Sequence, residues 1–145
     1  MRKCAALLAL ILCASAQAWE SPRQAIDMFL KFELAGGRLQ SWQFNKYLAV
    51  AKGYDEPGWD QVHLVESAKV LSTKCNASRC VARVQFIYVP TSRLKLMQVF
   101  PHHDGGSEVL DYVIVEHGGQ WLLESDNGAP RVTQADFKRL WPKAV

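Results

Sequence analysis

Residues 62–89 read VHLVESAKVLSTKCNASRCVARVQFIYV, and this stretch decides the fold class. Val62 to Cys75 and Cys80 to Val89 are two strand-like runs, rich in the β-branched and aromatic residues that fit a pleated surface. Only Asn76-Ala77-Ser78-Arg79 separates the cysteines. The runs therefore form a hairpin with a four-residue loop, and Cys75 faces Cys80 at a separation a disulfide can bridge. That pairing sets a register with Leu71 opposite Val84 and Lys69 opposite Phe86. Ala82, Val84, Phe86 and Tyr88 share a core face, while Arg83 and Gln85 lie on the wetter face with Ser72 and Lys74. The closed loop is short, so the bond contributes at most about 2–3 kcal/mol. Two thiols are half a zinc site, and no His pair at zinc-finger spacing completes it. The spacing is also not the C-x-x-C of redox motifs. Asn76-Ala77-Ser78 fits a glycosylation sequon, which matters only in a eukaryotic host.

Downstream, Pro90 interrupts the pattern, and Leu94 to Phe100 continues as a strand. Ser107 to Glu116 is a strand, His117-Gly118-Gly119-Gln120 a tight turn, and Trp121 to Ser125 the returning strand. Thr133-Gln134-Ala135-Asp136 opens a short helix with Phe137, Leu140 and Trp141 on one side, and Pro142 ends it. Upstream, Ser21-Pro22-Arg23-Gln24 carries an N-cap serine, a proline at the first helical position and a capping-box glutamine. Ile26, Phe29, Leu30 and Phe32 form the apolar face, with Asp27, Lys31 and Glu33 mostly outside it, and Gly36-Gly37 ends the helix. A second helix is expected from Ser41 to Lys52, followed by a turn at Asp55-Glu56-Pro57-Gly58. Helices segregated from a long antiparallel meander make an α+β domain.

Residues 1–18 have the layout of a secretory signal peptide. Arg2 and Lys3 precede the apolar run Cys4 to Ala14, too short to span a bilayer, and Ala16-Gln17-Ala18 supplies small residues for cleavage at Ala18-Trp19. A lipoprotein acylated at Cys13 would need a small residue where Leu12 stands, so a free protein is expected, without a stable membrane anchor. Residues 19–145 then form a single α+β domain in the periplasm or outside the cell. Cleavage lowers Lys+Arg from 17 to 15 against 14 acidic residues, a net charge of +1. That balance argues against a nucleic-acid partner. Export to an oxidising compartment favours the Cys75–Cys80 bond.

The opening helix Ser21-Pro22-Arg23-Gln24-Ala25-Ile26-Asp27-Met28-Phe29-Leu30 and the closing hairpin Val113 to Leu123, with His117-Gly118-Gly119-Gln120 before Trp121, resemble the nuclear transport factor 2-like (SnoaL-like) superfamily. The resemblance covers roughly residues 21 to 126. It implies N-terminal helices packed on a curved antiparallel sheet around a cone-shaped, cystatin-like pocket, with a short C-terminal helix. Members include isomerases, dehydratases, cyclases, ligand binders and protein–protein adaptors, so the fold does not settle function. Many domains of this fold pair through the outer sheet face, which makes a homodimer one arrangement to expect.

Asp111 shares one strand face with Val109, Val113 and Val115, and Leu110, Tyr112 and Ile114 share the other. On a concave face Asp111 would be a buried proton carrier; the alternative is a rim position paired with a base or exposed. Asp60 and His63 could orient an imidazole, although residues three apart in a strand point to opposite faces. Tyr47 and Tyr88 are candidate donors to a ligand carbonyl, or packing residues with the hydroxyl at the edge. Trp59 beside its turn is a candidate interface anchor or a cover over the pocket mouth. His102-His103-Asp104 reads as a loop rather than a metal site, and no metal or cofactor is implied. Phosphate-loop, Gly-x-Ser-x-Gly and His-Glu-x-x-His motifs are all missing from the sequence. The expectation is a non-catalytic binding domain for a small apolar ligand or an envelope protein. The alternatives are a periplasmic inhibitor or immunity protein, and an isomerase- or dehydratase-like enzyme using Asp111 or His63.

Overall fold

The computed structural model describes residues 19–40, 50–52, 61–90, 105–124 and 128–142. Helix α1 spans Pro22–Leu34. Ser21 Oγ accepts the N–H of Gln24 at 3.2 Å, and Gln24 Oε1 reaches back to the N–H of Glu20 at 3.0 Å, so the opening polar signature acts as a reciprocal cap. The helix ends at Ala35, after which Gly36 adopts φ +76° and turns the chain into a 3-10 turn, Gly37–Leu39. Only glycine takes that left-handed conformation without strain.

Ile26, Phe29 and Leu30 are buried, as their spacing predicts. Glu33 is the correction: it is fully buried, not outside the apolar face. It stands three, four and seven residues after Leu30, Phe29 and Ile26, which puts it on the stripe they define. The expected second helix lies mostly outside the described residues. Its last segment is not helical, because Ala51 makes a parallel bridge to Leu123 and Lys52 N–H donates to the Leu123 carbonyl at 2.6 Å. The expected strand Leu94–Phe100 also lies outside the described residues.

Five strands follow: β1 (His63–Asn76), β2 (Arg79–Tyr88), β3 (Ser107–His117), β4 (Gln120–Leu123) and β5 (Arg131–Thr133). They form one curled sheet in the order β4-β3-β2-β1-β5. Neighbours β1 to β4 are antiparallel, but β5 pairs parallel to β1 through His63–Arg131, Leu64–Val132 and Val65–Thr133. The sheet is therefore mixed and not the antiparallel meander expected. A three-residue strand is too short to leave a period in the sequence, and the chain must cross from one sheet edge to the other to reach it. Helix α2 (Gln134–Leu140) follows directly, capped by the Thr133 hydroxyl, which accepts Asp136 N–H at 3.1 Å.

Cys75 and Cys80 are bonded, with Cα atoms 4.0 Å apart, and Asn76 pairs with Arg79 beyond them. The turn is thus only Ala77 and Ser78, and Ala77 sits at φ +49°. The register expected from the disulfide holds from Asn76 to Ser72 and then fails. Leu71 lies in a bulge, which brings Val70 opposite Val84 and Lys69 opposite Gln85. An unbroken register would aim Lys69 inward beside Phe86. The bulge places Ala68 opposite Phe86 instead, keeps the Lys69 ammonium in water, and leaves Leu71 exposed.

Ala82, Val84, Phe86 and Tyr88 are all buried on the inner face, as expected, with Tyr112 and Ile114 of β3 beside them. Phe29 of α1 meets Tyr112 at 5.7 Å between ring centroids, and Tyr112 meets Phe86 at 6.3 Å. A second, smaller cluster joins Leu64 and Val89 to Val132 and Phe137. Among the described residues, no helix is long and apolar enough to cross a membrane.

Candidate functional site

The polar side chains of the interior gather at one end of the sheet. Pairing sets Tyr88 of β2 opposite Val65, Glu108 of β3 opposite Phe86, and Arg131 of β5 opposite His63, so all four chain segments bring a polar group to the same end. The Tyr88 hydroxyl donates to Glu108 Oε2 at 2.6 Å and accepts from Arg131 Nε at 3.3 Å. Arg131 Nη2 lies 3.8 Å from the same Glu108 oxygen, and its guanidinium sits 5.0 Å over the Phe86 ring. The His63 ring approaches Tyr88 edge-on at 5.9 Å.

Behind this group, Glu33 closes the cluster from α1. Its Oε1 accepts the Arg131 backbone N–H at 2.9 Å and Arg38 Nη1 at 3.0 Å, while Arg38 Nη2 donates to the Gly128 carbonyl at 2.7 Å. Burial pushes the Glu33 carboxyl above its usual range, and Arg38 and Arg131 pull it back only in part. Burial also raises the Tyr88 hydroxyl, helped by its bond to Glu108, and raises Tyr112 strongly. The Tyr112 hydroxyl and Glu33 Oε2 are buried with no hydrogen-bond partner among the described residues.

Chemically, the cluster reaches solvent at Glu108, whose side chain is 35% exposed. That carboxylate can accept a donor from outside. Tyr88, expected as a donor to a ligand carbonyl, spends its proton on Glu108. Glu33, Arg38 and Arg131 hold one another and the backbone of β5.

Asp111 is not in this cluster. It lies on the outer face, 61% exposed, with Oδ1 3.3 Å from Nε of Arg83, its register partner. Of its two settings, the structure places it in the exposed, base-paired one and not in an apolar pocket. His63 is buried, but Asp60 lies outside the described residues, as do Tyr47, Trp59 and His102-His103-Asp104. Sequence reasoning missed Glu33, Arg38, Glu108 and Arg131. Helical spacing was signal enough for Glu33. Nothing local marked the others, which meet only through the tertiary fold.

The outer face is of a different kind. Val81 pairs with Val113 and Gln85 with Val109 on either side of the Arg83–Asp111 pair. Val109 and the bulged Leu71 are two of the three large hydrophobic side chains exposed among the described residues, the third being Trp141. Comparison with known proteins finds no matching family model, no matching curated protein and no matching solved structure, so this geometry stands on its own.

Proposed function

We propose that the chain is an exported, non-catalytic binding domain that holds a protein partner on the outer face of its curled sheet. The observation that carries this reading is the placement of Leu71 and Val109, exposed around the Arg83–Asp111 pair on one side of the central strands. Exposed apolar side chains beside an ion pair, on a face that otherwise carries polar Ser72, Lys74 and Gln85, suit a protein interface, which is about as apolar as the rest of a protein surface. The inner face favours the same side, because α1 fills it and its charged groups bind one another. Export is supported by the leader pattern of residues 1–18, and the Cys75–Cys80 bond is compatible with an oxidising compartment. The curled sheet is compatible with the cone of the nuclear transport factor 2-like fold.

An inhibitor or immunity protein is the case in which the partner is an envelope-acting enzyme or toxin. A small apolar ligand in the pocket is the other binding form, and an isomerase- or dehydratase-like enzyme loses its best residue with Asp111 on the outer face. The test uses the mature chain recovered from the periplasm under mild cross-linking, with native mass spectrometry of what it carries. A partner of defined mass is expected, lost in Val109→Asp and Leu71→Asp and kept in Glu108→Gln. Finding no protein bound, or binding that survives both outer-face changes, would sink the proposal.

A further inference from the structure

We propose that residues 128–142, comprising β5 and α2, form a strap that opens as a unit while α1 and β1–β4 stay folded, and that its opening uncovers the Tyr88–Glu108 end of the sheet. The packing divides the molecule this way. The main core joins α1 to β1 through β4, and no strap residue belongs to its buried set. Val132 and Phe137 of the strap bury themselves instead against Leu64 and Val89, a cluster of four buried side chains.

Leu39 and Val62 pack partly buried against this cluster, and Val132 and Leu140 lie against Gly36; the other attachments are short or polar. Strand β5 pairs with β1 over only three residues. His63 N–H donates to the Pro130 carbonyl at 2.8 Å, Arg131 N–H to Glu33 at 2.9 Å, and Arg38 to the Gly128 carbonyl at 2.7 Å. Each is a single hydrogen bond, with a net contribution of only about 0.5–1.5 kcal/mol, or about 1.5–3 kcal/mol where a charged group takes part. Segments with few apolar contacts open below the global unfolding free energy, as cooperative units.

Opening has a definite consequence. Arg131 leaves both the Tyr88 hydroxyl and the Phe86 ring, so the inner end of the sheet gains an entrance lined by Tyr88, Glu108 and Phe86. The strap is thus a gate to the interior, separate from the outer face.

Native-state hydrogen exchange on the mature protein at rising sub-denaturing urea tests this. The His63 and Arg131 amides, bonded across the gap, are expected to exchange together and about a hundredfold faster than the hydrogen-bonded amides of β2 and β3. Phe137→Ala, or Val132→Ala if the first does not fold, is expected to speed the strap amides by a further tenfold or more, about the effect of an excavated small core. Val84→Ala, in the core that survives opening, is expected to speed β2–β3 exchange and leave the strap amides unchanged. Equal protection of strap and β2–β3 in the wild type would overturn the proposal. So would a Val84→Ala protein in which strap and β2–β3 amides speed up alike, or strap amides with no protection at all.

Discussion

Glu33 and Arg131 lie 98 residues apart in the chain, yet the Glu33 carboxylate accepts the Arg131 backbone N–H at 2.9 Å in the interior. This bond and the Arg38 pair tie the first helix to the last strand around one buried charge. Burial raises the Glu33 carboxyl above its ordinary 4.5 in the folded state. Between that ordinary value and the raised one, the folded state holds a proton that the unfolded chain has released, so stability falls as pH rises through this window. Each unit of elevation corresponds to about 1.4 kcal/mol of such loss. Glu33→Gln should therefore gain stability relative to wild type as pH is raised from 4.5 towards 8, measured by urea midpoints. Parallel curves for the two proteins would refute the assignment. Glu33→Ala, which strands Arg38 in the interior, is expected to cost about 3–5 kcal/mol at neutral pH.

The Arg83–Asp111 pair is a surface contact between side chains that are both more than half exposed. Asp111→Asn is expected to change stability by less than about 1 kcal/mol, with the small effect fading in high salt. A loss of several kcal/mol in chemical denaturation would mean that Asp111 sits in a buried setting after all.

At the tip of the β1–β2 hairpin, Ala77 carries a positive φ of 49° in a turn shortened to two residues. An L side chain in that region is strained by roughly 1–2 kcal/mol. Ala77→Gly is expected to raise the thermal midpoint, with a gain of about 1 kcal/mol at most because glycine also loosens the unfolded chain. Reduction of the adjacent Cys75–Cys80 bond should lower stability by about 2–3 kcal/mol. Differential scanning calorimetry with and without reductant checks both, and an Ala77→Gly protein that melts lower would count against the turn geometry.

The legible and illegible parts of this fold divide along the range of the interactions. The capped start of α1, its glycine stop, the disulfide hairpin and the turn at Gly118-Gly119 all depend on residues within a few positions of one another. Their side chains announce them. The bulge at Leu71 depends on Lys69 avoiding the core opposite Phe86, a conflict visible only after both strands are laid side by side. Strand β5 and its Arg131 have no local signature at all. They are held by Glu33, Tyr88 and Glu108, which come from three separate elements. The outward aim of Asp111 follows from the inward aim of Tyr112 and Ile114, which α1 decides by packing Phe29 on one side of the sheet.

Two buried tyrosines make opposite demands on their hydroxyls. Tyr88 donates to Glu108 at 2.6 Å and accepts from Arg131, so its oxygen links β2, β3 and β5. Tyr112 stands on the same inner face, ringed by Phe29 and Phe86, and its hydroxyl finds no hydrogen-bond partner among the described residues. A satisfied hydroxyl in contact with charged groups is worth about 1.5–3 kcal/mol, whereas an unsatisfied one carries a desolvation penalty of about 1–3 kcal/mol. Tyr88→Phe should therefore destabilise by about 2 kcal/mol, because it leaves Arg131 and Glu108 each short of a bond. Tyr112→Phe keeps the ring packing and removes the penalty, so it should be neutral or stabilising by up to about 1 kcal/mol. Urea unfolding of the two variants under identical conditions decides the matter. If Tyr112→Phe proved the more damaging substitution, its hydroxyl would have a strong partner, and the arrangement of the polar end described above would have to be redrawn around it.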